Sequence, residues 1–264
     1  MFRSSQIRRG VFMLNIVIPM AGLGSRFARA GYRVPKPLIP VHGVPMIRLV
    51  IDNIRPRVSH RFIFVCQRAH ESEYQLRAKL QEWAPGCAVV LLDGLSEGAA
   101  CTVLAARSLI DNEQPLMLAN SDQYVDVSID PYLASLAARQ LDGLMMTMQA
   151  SDPKWSYAAV NQAGLVTEVA EKRPISRNAT VGIYNFARGC DFIRAAETMI
   201  AANERVGGEF YVAPVYNSLV AEHARIGLYD IGSEGSGMHG LGIPEDLEVF
   251  LATKLSRRMV VPAL

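Results

Sequence analysis

Two glycines and two cations near the start of the chain carry the strongest chemical signal in the sequence. Gly22 and Gly24 lie in a short loop that ends at Arg26, and Lys36 follows ten residues later between two prolines. Glycine lets backbone N–H groups approach an anion closely, and Arg and Lys form charge-assisted hydrogen bonds with phosphate oxygens. The pattern therefore predicts a polyphosphate-binding loop over residues 20–26.

Two better-known glycine loops do not match this stretch. A Rossmann fingerprint requires a third glycine in the helix that follows, and Phe27 stands at that place. A P-loop requires Gly-Lys-Ser/Thr, which the sequence lacks. The four prolines between residues 35 and 45 favour an extended segment over a helix. Gly22 and Gly24 alone could be ordinary turn glycines, but their combination with Arg26 and Lys36 favours a phosphate site.

A single acidic residue, Asp122, follows the apolar run at residues 115–119. Open α/β sheets bind ligands just beyond the carboxyl ends of their strands. One carboxylate together with phosphate oxygens is a usual way to hold Mg²⁺. A lone Asp after a strand is more often a helix cap or a turn residue, so both interpretations stay open on the residues alone.

The elements that must position these residues alternate between strand and helix. Unbroken apolar runs such as residues 14–18 suit strands buried on both faces, and helical spacing separates them. Such alternation predicts a parallel sheet with crossover helices. Strands are predicted at residues 14–18, 61–67, 88–92, 115–119, 143–149, 157–161, 165–170 and 180–186. Helices are predicted at residues 45–55, 70–83 and 191–203, from the turn at residues 93–102 to about residue 110, from 207–211 onward, and at the end to about residue 258.

Composition excludes several classes of protein. A chain of 264 residues with a formal net charge of +2 and no basic stripe is not expected to bind nucleic acid. Its four scattered cysteines indicate neither a zinc site nor a disulfide framework. No apolar run approaches the roughly 20 residues of a membrane span. We expect residues 1–12 to be a disordered extension and residues 13–264 to form a single cytoplasmic domain.

On these motifs the sequence resembles the nucleotidyltransferases that make nucleotide sugars from a sugar 1-phosphate and a nucleoside triphosphate. The family signature is a strand, a Gly-x-Gly-Thr/Ser-Arg loop, and Pro-Lys before an apolar pair. Here it reads Gly22-Leu23-Gly24-Ser25-Arg26 and Pro35-Lys36-Pro37-Leu38. The match covers residues 14–255. It implies a Rossmann-like, three-layer α/β/α sandwich with a mostly parallel mixed sheet, the GT-A-like nucleotidyltransferase core.

The resemblance also implies a site, with a nucleoside triphosphate, a phosphorylated small-molecule acceptor and Mg²⁺ as its ligands. The catalytic residues would be Arg26, Lys36 and Asp122, and Asp122 would also hold the metal. The nucleotide-binding residues would be Met20, Ala21, Gly22, Leu23, Gly24, Ser25, Asp93, Gly98, Ala99 and Ser121. The substrate-binding residues would be Glu171, Lys172, Gly182 and Glu209, although Glu171-Lys172 by sequence alone is more often a solvated charge pair.

Two positions depart from the family pattern. Gly240 stands where members commonly carry an Asp that is the second metal ligand. Either another carboxylate replaces it, with Asp230, Glu209 and Asp246 as candidates, or Asp122 acts with phosphates and water. Ala158 stands where many members have a glycine against the sugar. Both departures are expected to touch the acceptor side, which makes a non-standard acceptor plausible.

The expected reaction is displacement at the α-phosphorus by the acceptor's phosphate oxygen, with release of pyrophosphate, in the service of cell-surface polysaccharide synthesis. It needs no general base, in keeping with the absence of a histidine dyad in the sequence. One alternative is a cytidylyltransferase for a non-sugar, phosphocholine-like phosphate, and the nucleotide preference leans slightly to CTP. A metal-dependent glycosyltransferase and a non-catalytic nucleotide sensor are the others. The chain could also form a homo-oligomer.

Overall fold

Eleven strands form one mixed sheet in the computed structural model, which describes residues 12–259. A separate two-stranded pair, β2 and β3, follows the glycine loop. The strands are β1 (Leu14–Pro19), β2 (Pro40–Val41), β3 (Val44–Pro45), β4 (His60–Gln67), β5 (Ala88–Leu92), β6 (Leu116–Ala119), β7 (Gln123–Val125), β8 (Gly143–Gln149), β9 (Ser156–Val160), β10 (Val166–Glu171), β11 (Asn178–Phe186), β12 (Ile226–Glu234) and β13 (Gly237–Gly240).

The helices are short and lie between the strands. They are α1 (Ser25–Arg29), α2 (Met46–Ile54), α3 (Arg68–Tyr74), α4 (Leu76–Trp83), α5 (Ala99–Leu104), α6 (Arg107–Ile110), α7 (Ile129–Ala138), α8 (Gly189–Ala201), α9 (Val215–Ala221), α10 (Pro244–Leu251) and α11 (Lys254–Met259). None of those within residues 12–259 has the length and apolar character that crossing a bilayer requires.

The strand order is β5-β4-β1-β6-β11-β8-β12-β13-β7, with β9 and β10 attached beside β11. β1 pairs in parallel with both β4 and β6, so the carboxyl ends of these strands meet at one edge of the sheet. β11 runs antiparallel between β6 and β8 and makes the sheet mixed. The predicted α/β fold with a large mixed central sheet is therefore confirmed.

Helices cover both faces of the sheet, as a three-layer arrangement requires. One apolar core lies between the sheet and α2, α4 and α7, and a second lies between the sheet and α5, α8 and α9. A third, smaller core joins the segment after the glycine loop to α10. Phe27, Ile39, Leu241 and Leu247 are fully buried or nearly so in this third core. The closing part of the chain therefore supports the loop at its beginning.

Two predicted helices are interrupted. The helix predicted at residues 70–83 is two helices, α3 and α4, because Gln75 takes the left-handed conformation (φ 52°) between them. The Gln75 N–H donates to the Glu71 carbonyl and ends the first helix. The helix predicted to follow the turn at residues 93–102 and to end near residue 110 is likewise divided into α5 and α6.

Two further segments differ from the prediction. Residues 36–38 form one 3₁₀ turn within the segment predicted to be extended, since a proline at the start of a helical turn costs no hydrogen bond. The helix predicted to open at residues 207–211 begins only at Val215. Gly207 and Gly208 have positive φ angles and turn the chain instead. The hairpin predicted around residues 162–164 is confirmed by antiparallel β9 and β10.

Of the predicted extension at residues 1–12, only Phe12 is among the described residues. Its side chain is 72% exposed.

Candidate active site

A cavity of about 400 Å³ opens at the carboxyl ends of the parallel strands. The glycine loop forms one wall, and the turn after β5 and the segment after α8 face it. All residues predicted to bind the nucleotide line this cavity except Asp93, and so do Lys36 and Glu209. The sequence-predicted lining residues are Met20, Ala21, Gly22, Leu23, Gly24, Ser25, Lys36, Gly98, Ala99, Ser121 and Glu209.

The glycine loop is shaped by its position between β1 and α1. The Met20 N–H donates to the Val65 carbonyl at 2.9 Å, which continues the β1–β4 pairing into the loop. Gly24 has a φ of 60°, and a Cβ there would lie 3.1 Å from the Cβ of Lys36. Glycine at this position therefore permits both the left-handed turn and the close approach of Lys36.

Lys36 reaches across the site to Asp122. Its Nζ donates to Asp122 Oδ2 at 2.7 Å, and both side chains are about four-fifths buried. The Leu241 N–H donates to the Asp122 carbonyl at 2.8 Å. A Cβ at Gly242 would lie 2.8 Å from Asp122 Oδ2, so the absence of a side chain at position 242 leaves room for this carboxylate.

This arrangement suits a divalent cation that is held partly by its substrate. Within residues 12–259 no group of three or more His, Cys, Asp or Glu side chains is placed to hold a metal ion. Mg²⁺ commonly takes only one or two carboxylates and completes its shell with phosphate oxygens and water. Asp122 fits that ligand set, and Lys36 lies close enough to neutralise phosphate charge beside it.

Of the predicted catalytic and nucleotide-binding residues, Arg26, Asp93 and Asp122 are not among those that line this cavity. Arg26 is exposed on α1, and its charge is among those that act on Asp246. Burial raises the pKa of Asp246, and the charges of Lys154 and Arg26 oppose that rise. Asp93 forms an ion pair with Arg68 at 2.5 Å, and its side chain is 77% exposed. The geometry therefore does not bring Asp93 to the cavity wall.

The turn that begins α5 is tied to the segment after α8 through main-chain bonds. The Phe210 N–H donates to the Glu97 carbonyl at 2.8 Å, and the Ala100 N–H donates to the Phe210 carbonyl at 3.0 Å. Gly98 has a φ of 128°, and a Cβ there would lie 2.4 Å from the Phe210 carbonyl oxygen. The contact requires glycine at this position. It joins the turn at residues 97–100 to Glu209 and Tyr211, which also line the cavity.

A smaller cavity of about 200 Å³ adjoins the larger one and shares Ala99 and Tyr211 with it. The predicted substrate-binding residues Glu171 and Gly182 line it. Lys172 lines neither cavity, but its Nζ donates to the Tyr211 hydroxyl at 2.6 Å and lies 4.6 Å from the centre of that ring.

Two details fix the shape of this smaller cavity. The Ser156 hydroxyl donates a hydrogen bond to the Glu171 carboxylate. This hydrogen bond and the charge of Lys172 lower the pKa of Glu171, but burial raises it by more, so the pKa lies above its usual value. Gly182 has a φ of 79°, and a Cβ there would lie 2.1 Å from Asn120 Nδ2. The smaller cavity thus combines a poorly solvated carboxyl group with a backbone turn that only glycine allows.

Sequence reasoning missed several lining residues because no short motif marks them. Leu95 is 60% exposed at the larger cavity, where Leu23, at 65%, is its apolar counterpart. Trp155 is one of two tryptophans in the sequence and follows Lys154 directly. This pair was the signal that could have pointed to the smaller cavity. The missed lining residues include Pro19, Pro37, Leu95, Ser96, Thr102, Tyr211, Asn120, Lys154, Trp155, Ser156, Thr180 and Tyr184.

One expectation about the acceptor side is wrong. Ala158 was expected to touch the sugar, but it is fully buried in the second core and lines neither cavity. Its carbonyl accepts hydrogen bonds from Ser176 Oγ and Asn178 Nδ2. Strand β9 presents Ser156 to the cavity instead, so the residue at position 158 contributes to packing and not to acceptor contacts.

The arrangement can be compared with known proteins. The "Nucleotidyl transferase" family model matches residues 16–211. The bifunctional protein GlmU of Burkholderia mallei (strain SAVP1) is 28% identical over 215 residues, which are 78% of this chain and 45% of that relative. The bifunctional protein GlmU of Burkholderia thailandensis is 27% identical over 215 residues, again 78% of this chain and 45% of that relative. The chain thus spans less than half the length of these curated relatives.

Solved structures agree with this family match. A nucleoside-diphosphate-sugar pyrophosphorylase from Vibrio cholerae RC9 superposes with a TM-score of 0.77 and 26% identity, over 90% of this chain and 100% of the other. The inositol-1-phosphate CTP transferase from T. maritima shares the fold at 15% identity and a TM-score of 0.71, over 95% and 96% of the two chains. The family match includes the glycine loop, Lys36 and Asp122, and it covers most of the chain; this protein therefore belongs to the nucleotidyl transferase family.

Proposed function

We propose that the protein joins a nucleoside monophosphate, taken from a nucleoside triphosphate, to a sugar 1-phosphate or a related phosphate ester and releases pyrophosphate. The observation that carries this proposal is the contact between Lys36 and Asp122 at the end of the glycine loop. A phosphate-binding cation and a carboxylate suited to a metal thus meet beside a cavity of nucleotide size. The product is an activated donor of the kind that polysaccharide assembly consumes.

The larger cavity holds the nucleotide in this proposal. Backbone N–H groups of residues 21–25 bind the β- and γ-phosphates, and Lys36 neutralises charge on the reacting phosphates. Arg26 reaches from α1 to the departing pyrophosphate. The turn at residues 95–99 reads the base, with Leu23 and Leu95 as apolar surfaces against its ring.

The smaller cavity holds the acceptor. Glu171 accepts hydrogen bonds from acceptor hydroxyls, Lys172 meets its phosphate, and Gly182 lets it approach the backbone. Glu209, on the wall of the larger cavity, completes the acceptor side. Because the two cavities share Ala99 and Tyr211, the acceptor phosphate can be oriented towards the α-phosphorus of the nucleotide.

The reaction is a displacement at phosphorus. An oxygen of the acceptor phosphate forms a bond to the α-phosphorus, the bond from that phosphorus to the bridging oxygen breaks, and pyrophosphate leaves with the electron pair. The attacking phosphate is already ionised at neutral pH, so the chain needs no general base. Mg²⁺ held by Asp122 would supply charge neutralisation on the phosphates when bound. Alignment of two bound reactants can contribute about 7–11 kcal/mol.

Pyrophosphate release tests the proposal directly. Each of the four nucleoside triphosphates CTP, UTP, GTP and dTTP is mixed with Mg²⁺, the protein and one acceptor from a panel of phosphorylated sugars, polyols and amino-alcohols. We expect release with at least one pair, together with a new product whose mass equals the acceptor plus one nucleoside monophosphate minus one water. The pair that reacts identifies the nucleotide and the acceptor class.

Other outcomes identify the alternatives. A glycosyltransferase would release a nucleoside diphosphate from a nucleotide sugar and no pyrophosphate from a triphosphate. A nucleotide sensor would bind the triphosphate without turnover. Either result would contradict the proposed reaction.

A further inference from the structure

The segment Gly240–Gly242 passes close to two carboxylates. Gly240 pairs with Gln123 at the end of β13, and the adjacent Leu241 N–H donates to the Asp122 carbonyl. A Cβ at Gly242 would lie 2.8 Å from Asp122 Oδ2, and a Cβ at Gly240 would lie 3.2 Å from Asp246 Oδ2. Both carboxylates therefore approach the same three-residue segment, at positions that carry no side chain.

Asp246 lies in the first turn of α10, where the helix dipole favours a carboxylate. Among residues 12–259 its carboxylate accepts no hydrogen bond and forms no ion pair, although it is half-buried. Lys154 and Arg26 are the cations that act on it, and Glu234 and Glu245 are the acids. A half-buried carboxylate whose oxygens no side chain engages is available to a cation.

We propose that Asp246 is the second carboxylate that holds the divalent cation, together with Asp122, and that it occupies the space which a side chain at position 240 would need. This inference rests on the proposed function. One or two carboxylates plus substrate phosphates are a usual Mg²⁺ ligand set. The site would then have two acidic ligands, Asp122 after β6 and Asp246 on α10.

The other two candidate carboxylates are placed differently. Asp230 accepts a hydrogen bond from Gln149 Nε2 at Oδ2 and another from the Gly232 N–H at Oδ1, so both of its carboxylate oxygens are already engaged. Glu209 lies on the wall of the larger cavity in the loop that precedes α9. Of the three candidates, Asp246 is the one beside the segment that contacts Asp122.

The test measures metal binding directly, with Mn²⁺ as the probe. The full-length protein is mixed with a triphosphate analogue whose α,β-bridging oxygen is a methylene group, so that no turnover occurs. The electron paramagnetic resonance signal of free Mn²⁺ then gives the dissociation constant. We expect Asp246→Asn and Asp122→Asn each to weaken Mn²⁺ binding about tenfold or more. Glu248→Gln, an exposed carboxylate on the same helix, is the matched control and should leave it unchanged.

A relocation variant makes the test specific to geometry. Asp246→Ala vacates the carboxylate position next to Gly240, and Gly240→Asp then supplies a carboxylate from β13. We expect this double variant to bind Mn²⁺ at least fivefold more tightly than Asp246→Ala alone. Should Asp246→Asn fail to fold, as judged by its melting temperature, the comparison of Asp246→Ala with the double variant decides the question.

The outcomes separate this inference from the proposed function. Wild-type Mn²⁺ affinity in Asp246→Asn, or no gain in the double variant, would overturn the role of Asp246. Pyrophosphate release by the wild-type protein would leave the proposed function intact in that case. Conversely, loss of Mn²⁺ affinity in Asp246→Asn without any pyrophosphate release by the wild type would support the metal site and contradict the proposed reaction.

Discussion

Lys36 Nζ and Asp122 Oδ2 lie 2.7 Å apart and connect the segment after the glycine loop to the end of β6. The pair places the cation that we propose for phosphate binding in direct contact with the carboxylate that we propose for metal binding. In the proposed reaction, a triphosphate in the larger cavity would offer Lys36 a new anionic partner, and the Asp122 oxygen would then be accessible to a cation.

Replacing Lys36 should damage catalysis far more than folding. We expect Lys36→Ala to lower kcat by about 10²–10³-fold, since removing one group that stabilises transition-state charge commonly has an effect of this size. The free energy of unfolding should fall by about 1–3 kcal/mol, because Asp122 loses its partner while it is about four-fifths buried. Steady-state kinetics and chemical denaturation of the same preparation measure both effects. Lys254→Ala, an exposed lysine on α11, is the control, and wild-type turnover by Lys36→Ala would refute the role of this residue.

Gly98 should tolerate no side chain. A Cβ at Gly98 would lie 2.4 Å from the Phe210 carbonyl oxygen, and its φ of 128° disfavours any other residue. We expect Gly98→Ala to lower the free energy of unfolding by about 1–3 kcal/mol and to raise KM for both substrates. Gly94→Ala in the same turn meets nothing within 4 Å and should leave stability and both KM values near wild type. If Gly98→Ala raised the KM for only one substrate, the contacts of Phe210 would not connect the proposed nucleotide side of the site to the proposed acceptor side.

The raised pKa of Glu171 predicts a pH-dependent gain in stability on its replacement. Burial is the main cause of the rise above the usual value of 4.5. Because the folded state binds this proton more tightly than the unfolded state, ionisation opposes folding once the pH exceeds 4.5. We expect Glu171→Gln to be more stable than the wild type at pH 7, with the difference shrinking as the pH falls to 4.5 and below. Urea denaturation at several pH values measures this, and a difference that grew with acidity would contradict it.

Phe27 should be an anchor of the third core. Its side chain is 1% exposed and packs edge-on against Tyr32, with ring centroids 5.1 Å apart. We expect Phe27→Ala to lower the free energy of unfolding by about 3–5 kcal/mol and to weaken nucleotide binding, since α1 follows the glycine loop directly. Phe12→Ala removes a phenylalanine that is 72% exposed and serves as the control. Equal stability changes in the two variants would show that the third core does not support the loop.

Local patterns in the sequence were sufficient to predict the fold class and the position of the glycine loop. The apolar run in β1 predicted a buried strand, and Gly24 and Lys36 were singled out by spacing and type alone. The roles of the named site residues stay predictions until the experiments above are done.

Contacts between distant parts of the chain were beyond such patterns. Nothing local shows that Arg68 pairs with Asp93, or that Phe210 bonds to Glu97 and so draws residues 207–211 away from a helix. For the same reason, the burial of Ala158 and the approach of Asp246 to Gly240 follow from packing between separate elements, which spacing along the chain does not encode.

The two hydrogen bonds of Phe210 also limit how specificity can evolve. They fasten the turn at residues 97–100 to the loop that carries Glu209 and Tyr211, so we expect neither to keep its geometry when it is transplanted into a homologue by itself. A chimera that exchanges only residues 93–102 would inherit a mismatched partner, whereas one that exchanges residues 205–213 as well keeps the junction intact. Changes of nucleotide and of acceptor should therefore have arisen together during divergence, as a single inherited unit.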